Sequence, residues 1–125
     1  MTFATILMLV LLGLVAAFQV ALAAGAPWGA VAYGGVWPGV LPRGIRINSL
    51  VFGLVVYPIA SLYALDAGGL ASFEWLPARG VVIWVLAGFF TLGTLANLAS
   101  RSKPERWWAP VSLAIAACAV VLALG

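Results

Sequence analysis

Residues 25–46 read GAPWGAVAYGGVWPGVLPRGIR. Glycine recurs at Gly25, Gly29, Gly34, Gly35, Gly39 and Gly44, with Pro27, Pro38 and Pro42 between them. Glycine loosens the backbone, and proline removes a donor and clashes with the preceding turn, so no continuous helix crosses this segment. Its side chains are still apolar or aromatic. Trp28, Tyr33 and Trp37 ride on it, and its only charges are Arg43 and Arg46. A solvated linker would be polar. The segment therefore reads as a folded connection covering one end of a small helical bundle, with Trp28, Tyr33, Gly34, Gly35 and Trp37 forming a lid.

On both sides of it the chain is apolar. Of 125 residues, 66% are hydrophobic and 7% are charged, where a soluble domain carries about 25% charged. A bilayer is the natural solvent for such a chain. The length suits one domain, residues 1–125, of four spanning helices at about 20 residues each. The runs place them near 4–24, 47–65, 80–100 and 103–124. The first run, MTFATILMLVLLGLVAAFQVALAAG, ends in Ala-Leu-Ala as cleaved leaders do. It has no basic n-region, and its apolar stretch exceeds the roughly 7–15 residues of a leader core, so the helix is expected to be retained.

Residues that are mostly small or polar form stripes at helical spacing on each helix, and small ones allow close helix approach in lipid. These are Gly13, Ala16, Ala17, Val20 and Ala24 on the first, and Ser49, Gly53, Tyr57 and Ser61 on the second. Phe90, Gly93, Thr94, Asn97, Ser100 and Arg101 follow on the third, and Ser112, Ala116, Ala119 and Ala123 on the fourth. Pro58 should kink the second helix. Gly68 and Gly69 should end it. Ser102 and Glu105 fit a capping box for the fourth helix, and Trp107 and Trp108 mark an interface.

The basic residues set the orientation. Arg43, Arg46, Arg101, Lys103 and Arg106 lie in or beside the first and third connections, and only Arg79 lies in the second. The positive-inside rule puts the first and third connections in the cytoplasm and both termini outside, in a bacterial inner membrane. The net charge of +3 is spread over loops and forms no face for nucleic acid.

The polar residues converge on the same end. Gln19, Arg46, Asn48, Asn97, Ser100, Arg101 and Glu105 all fall beneath the lid, and Arg46 or Arg101 is expected to face Glu105. Two roles are open to this cluster: a structural hydrogen-bond network, each bond worth about 0.6–2 kcal/mol, or a ligand or lipid-headgroup site. The lid has the same two readings, as ordinary interface anchors or as a backbone cup for an anionic headgroup.

Catalysis has little to work with. There is no histidine, and Cys118 is the only cysteine. The carboxylates Asp66, Glu74 and Glu105 look too few and too peripheral for a metal cage or an acid–base pair. No enzyme activity and no cofactor are expected. A carboxylate-coupled transporter would carry an ionisable carboxylate within a span, and none falls in the apolar interior of the four helices, Glu105 lying in the opening turn of the fourth. An anion path would find Arg46 and Arg101, with donors from Asn97 and Ser100. The expected function is thus a non-catalytic membrane protein that binds a lipid or a partner subunit. The alternative is an oligomeric channel or transporter for an ion or small solute. The expected partners are membrane lipids, with another membrane subunit or a second copy of the chain beside them.

Two blocks carry a family likeness: Gly25-Ala26-Pro27-Trp28-Gly29 with Gly34-Gly35, Gly39-Val40-Leu41-Pro42 and Arg46, then Asn97-Leu98-Ala99-Ser100 with Glu105-Arg106 and Pro110. Over almost its whole length the chain resembles a group of small, uncharacterised four-helix integral membrane proteins of bacteria, frequent in actinobacteria. The resemblance implies a four-helix membrane fold and no established activity.

Overall fold

A computed structural model of the chain describes residues 2–125. Among the described residues there is no strand. There are four long helices: α1 (Thr2–Ala23), α2 (Arg43–Ala67), α3 (Arg79–Leu98) and α4 (Pro104–Leu124). Each is long and apolar enough to cross a membrane. The expected boundaries hold to within a few residues, with two informative departures. α2 begins at Arg43 rather than near 47, because Pro42 stands before it and the Pro42 carbonyl accepts the first helical bond, from Arg46 N at 2.9 Å. Asn48 and Ser49 consequently lie in its second turn, not its first. α3 ends at Leu98 rather than 100, closed by Ala99 N on the Leu95 carbonyl at 3.0 Å, and this releases Ser100 for other bonds.

The proline in α2 acts through a wide turn. Residues Phe52–Val56 form a π-turn, and the Tyr57 N–H bonds the Phe52 carbonyl five residues back. Pro58 has no N–H, and in a regular helix its ring would meet the Leu54 carbonyl. Inserting one residue into the turn relieves that clash and lets the helix run on.

The helices meet along small and apolar faces. Met8 and Leu12 of α1, Ala60 and Ala64 of α2, Ile83 and Phe90 of α3, and Ile115 and Ala119 of α4 belong to one buried cluster. The small-residue stripe of α1 is used only in part. Gly53 of α2 packs on Val20 and on the Ala16 carbonyl, while Gly13, Ala17 and Ala24 face outward. The other three stripes turn inward along most of their length, through Ser49, Gly53 and Tyr57, through Phe90 and Thr94, and through Ser112, Ala116 and Ala119.

The outer surface is apolar on every helix. Leu14, Leu54, Leu92 and Leu113, one from each, are 48–68% exposed. At the end away from the lid, α2 closes on a left-handed Gly69 with φ 74°. Leu70 N reaches the Leu65 carbonyl at 3.1 Å and Gly69 N the Asp66 carbonyl at 3.1 Å, the paired bonds of a Schellman cap. The Asp66 carboxylate then gathers the second connection, accepting from Phe73 N at 2.7 Å and pairing with Arg79 at 3.1 Å.

The α1–α2 contact gives a direct test. A Cβ at Gly53 would lie 2.8 Å from Val20 Cγ2 and 3.0 Å from the Ala16 oxygen, whereas one at Gly88 meets nothing within 4 Å. Gly53→Val should lower the unfolding free energy in detergent by about 1–3 kcal/mol through overpacking. Gly88→Ala should leave it unchanged or raise it by up to about 1 kcal/mol through helix propensity. Thermal melts of the two variants against the wild type check the pair.

Candidate functional site

The lid is an ordered structure built where its glycines are needed. Gly29 N donates to the Gly39 carbonyl at 2.8 Å, and the backbone passes so close that a Cβ at Gly29 would collide with the Trp37 and Gly39 carbonyls. Tyr33, Gly34 and Gly35 are three successive left-handed residues, with φ 50°, 71° and 73°. Glycine tolerates that conformation, but a tyrosine there carries a penalty of about 1–2 kcal/mol. Its side-chain bonds answer for it: Tyr33 Oη lies 2.8 Å from Ser49 Oγ and accepts from Asn48 Nδ2 at 2.8 Å. Ala32 and Leu41 bury themselves against Leu22 of α1, giving the lid a small core of its own. Trp28 stacks on Phe18 at 6.2 Å, and Trp37 sits edge-on to Tyr33 at 6.3 Å.

The lid is fastened to the third connection. Ser102 Oγ donates to the Ala30 carbonyl, and Gly35 packs against the Ser102 side chain. The expected capping box is therefore not made. Ser102 is turned to the lid, and Glu105 accepts instead from Ser100 Oγ at 2.9 Å. The cause is the opening of α4 as a tight 3₁₀ turn, Pro104–Trp107, with no side chain capping it.

The expected arginine partners of Glu105 go elsewhere. Arg46 Nε donates to the Ala23 carbonyl at 3.0 Å, closing the end of α1. Arg106 Nε donates to the Ser100 carbonyl at 2.9 Å, just past the end of α3. Arg101 is exposed. The one ion pair among the described residues is Arg79 with Asp66, at the opposite end. Glu105 is only 8% exposed. It was expected in the cluster beneath the lid, and the 3₁₀ turn points it inward, without the arginine expected to face it. Trp108 also turns in, with its ring 4.6 Å from Phe18, while Trp107 stays exposed.

Beneath the lid is a cavity of about 190 Å³. All four helices and the lid line it: Gln19 from α1, Tyr57 from α2, Asn97 from α3, Glu105 and Ser112 from α4, and Val31, Ala32 and Tyr33 from the lid. Asn97 Nδ2 donates to Ser112 Oγ at 3.2 Å across its wall. Gln19 Oε1 is buried there with no hydrogen-bond partner among the described residues. Phe89 and Ala96 line the cavity and are also exposed, so it reaches the flank of the protein along α3.

Of the residues expected to cluster, Gln19, Asn97 and Glu105 share this cavity, and Ser100 joins through its bond to Glu105. Arg46, Asn48 and Arg101 do not line it. Asn48 bonds Tyr33, so it supports the lid from outside. Of the lid residues Trp28, Tyr33, Gly34, Gly35 and Trp37, only Tyr33 reaches the cavity. Tyr57, Phe90 and Trp108 were not singled out as site residues. Their place on the inward stripes of α2 and α3, and one turn before Ser112 on α4, was the available signal.

No protein-family model, curated protein or solved structure matches this chain.

Tyr33 holds the lid to α2, so Tyr33→Phe should loosen it without unfolding the helices. Losing bonds to both Ser49 and Asn48 removes about 1–2 kcal/mol. Hydrogen exchange of the lid amides near Gly29 and Gly35 should accelerate by about tenfold, while exchange in α3 and α4 stays as in the wild type.

Proposed function

We propose that the chain is a multi-pass integral membrane protein, a four-helix bundle whose lidded cavity binds a small ligand or the headgroup of a lipid, without catalysis. Membrane residence is supported by the outer surface. Between 22% and 33% of each helix's most apolar stretch is buried inside the protein, and water would be a poor solvent for the rest. We further propose that the first and third connections face the cytoplasm of a bacterial cell and that both termini face outward. The charge distribution supports this, and so does the fastening of these two connections to each other.

One observation carries the binding reading. A space of about 190 Å³ is lined by Gln19, Asn97, Glu105 and Ser112, larger than the roughly 150 Å³ cavity that accepts a benzene ring. A purely structural network would close on itself. Here the Gln19 carbonyl is buried without a partner, a deficit of about 1–3 kcal/mol that a bound group would relieve. The channel alternative is less well supported. Towards the far end, Met8, Leu12, Ile115 and Ala119 are fully buried in contact with one another's cluster, so a path through one chain is blocked.

A cavity-filling variant tests the reading. Gly93 lines the cavity, and a Cβ placed there meets only Ser112 Oγ, at 3.8 Å. Native mass spectrometry of protein extracted from its own membrane should show a bound small molecule or lipid on the wild type and none on Gly93→Leu, with melting temperatures within about 4 °C of each other. An adduct that survives in Gly93→Leu refutes the site. For topology, a phosphatase fused to the C-terminus, active only outside the cytoplasm, should be active.

A further inference from the structure

We propose that the cavity selects an ammonium group carried on an apolar body, with Glu105 as its counter-charge and aromatic rings as its walls. This deepens the binding reading above and rests on it. The argument starts from charge. Among the described residues, Glu105 is the only charged one lining the cavity, and no lysine or arginine is in its wall. No basic nitrogen of a described residue comes within 4.0 Å of its carboxylate. Its one hydrogen bond comes from the neutral hydroxyl of Ser100. A carboxylate this buried and without a cation is a poor arrangement by itself, because desolvation is not offset by an opposite charge. A cationic ligand would supply what is missing.

The remaining polar deficit has the same sign. Gln19 Oε1 is a buried acceptor that lacks a donor, and an ammonium is a donor with no acceptor of its own. Arg106 turns its Nε–H to the Ser100 carbonyl and places no nitrogen within 4.0 Å of the Glu105 carboxylate. The walls add a third feature. Phe18, Tyr33, Tyr57, Phe89, Phe90 and Trp108 all line this one space. Rings around a cation attract it through their negative faces, most strongly where water is excluded. Entry fits an apolar carrier, because the cavity reaches the surface beside exposed Phe89, on a flank with Leu92 and Leu95 also exposed.

The same chemistry has two sources: the headgroup of an aminophospholipid, or a free lipophilic amine. Protein in dodecyl maltoside, an uncharged detergent, would be titrated by calorimetry with benzylammonium and with benzyl alcohol, its uncharged counterpart. Phosphatidylethanolamine and phosphatidylglycerol would be compared by native mass spectrometry. Benzylammonium should bind at least about tenfold more tightly than benzyl alcohol, as a desolvated charge pair with ring contacts requires. Glu105→Gln should abolish that preference, with the variant's fold checked by circular dichroism. Retention of phosphatidylethanolamine that benzylammonium displaces assigns the source to lipid. Benzylammonium binding without lipid retention assigns it to a free amine. Equal binding of the charged and uncharged probes, or an undiminished preference in Glu105→Gln, overturns the cation proposal. In that case probe binding that Gly93→Leu blocks leaves the cavity reading standing. If no probe or lipid binds the wild type, both fail. The comparison of the two benzyl probes needs no variant, so it decides the matter even if Glu105→Gln does not fold.

Discussion

The last carbonyls of an α-helix have no partner within the helix. At the lidded end of this protein, two of the carbonyls that close off α1 and α3 are satisfied by arginines from the following segments. Arg46 serves Ala23 at the end of α1, and Arg106 serves Ser100 just beyond α3. Each bond ties an incoming helix to the helix that precedes it. The guanidinium can do this because its stem spans several ångströms while its head keeps a fixed fork of donors. Both arginines turn their Nε–H to these carbonyls, and neither places a nitrogen within 4.0 Å of the Glu105 carboxylate. Among the described residues Glu105 therefore has no ion-pair partner.

The lid depends on the same arrangement. Arg46 fixes the start of α2 against the end of α1, so the 19 residues from 24 to 42 must leave one helix and return almost to the same place. A loop with coincident ends and apolar side chains has to fold on itself, and this one does so around Ala32 and Leu41 against Leu22. The glycine pattern is a consequence. Gly29 lies where backbone crosses backbone, and Gly34 and Gly35 continue a left-handed turn that Tyr33 begins. Tyr33 can occupy that turn because Ser49 and Asn48 hold its hydroxyl.

The helices were legible in the sequence because hydropathy and length are local properties. Even the distortion at Pro58 was, since ring and missing donor act within one turn; only its form, a π-turn one step earlier, needed the structure. The site was legible in composition but not in connectivity. Gln19, Asn97 and Glu105 were grouped correctly at one end of the chain's topology, because helix length alone brings 19, 97 and 105 to the same level. Their partners were not readable. A helix start displaced from 47 to Arg43 brought Arg46 to the end of α1, and a 3₁₀ opening to α4 left Glu105 to bond Ser100 instead of capping the helix. The first is a shift of about one turn and the second a change of winding, and near a helix end either decides which partner a side chain meets.

Glu105 was placed in the cluster by its position, but its lack of an arginine partner was not readable from its neighbours. In RSKPER it is surrounded by Arg101, Lys103 and Arg106, a pattern that on a surface means mutual screening. Folding separates the signs: the basic groups stay outside or turn to carbonyls, and the acid goes in. The carboxylate then experiences a medium in which charge interactions are several times stronger than in water. A basic segment with one acid among three cations along the chain becomes polarised across it, with the cations at the surface and the acid in the cavity beneath the lid.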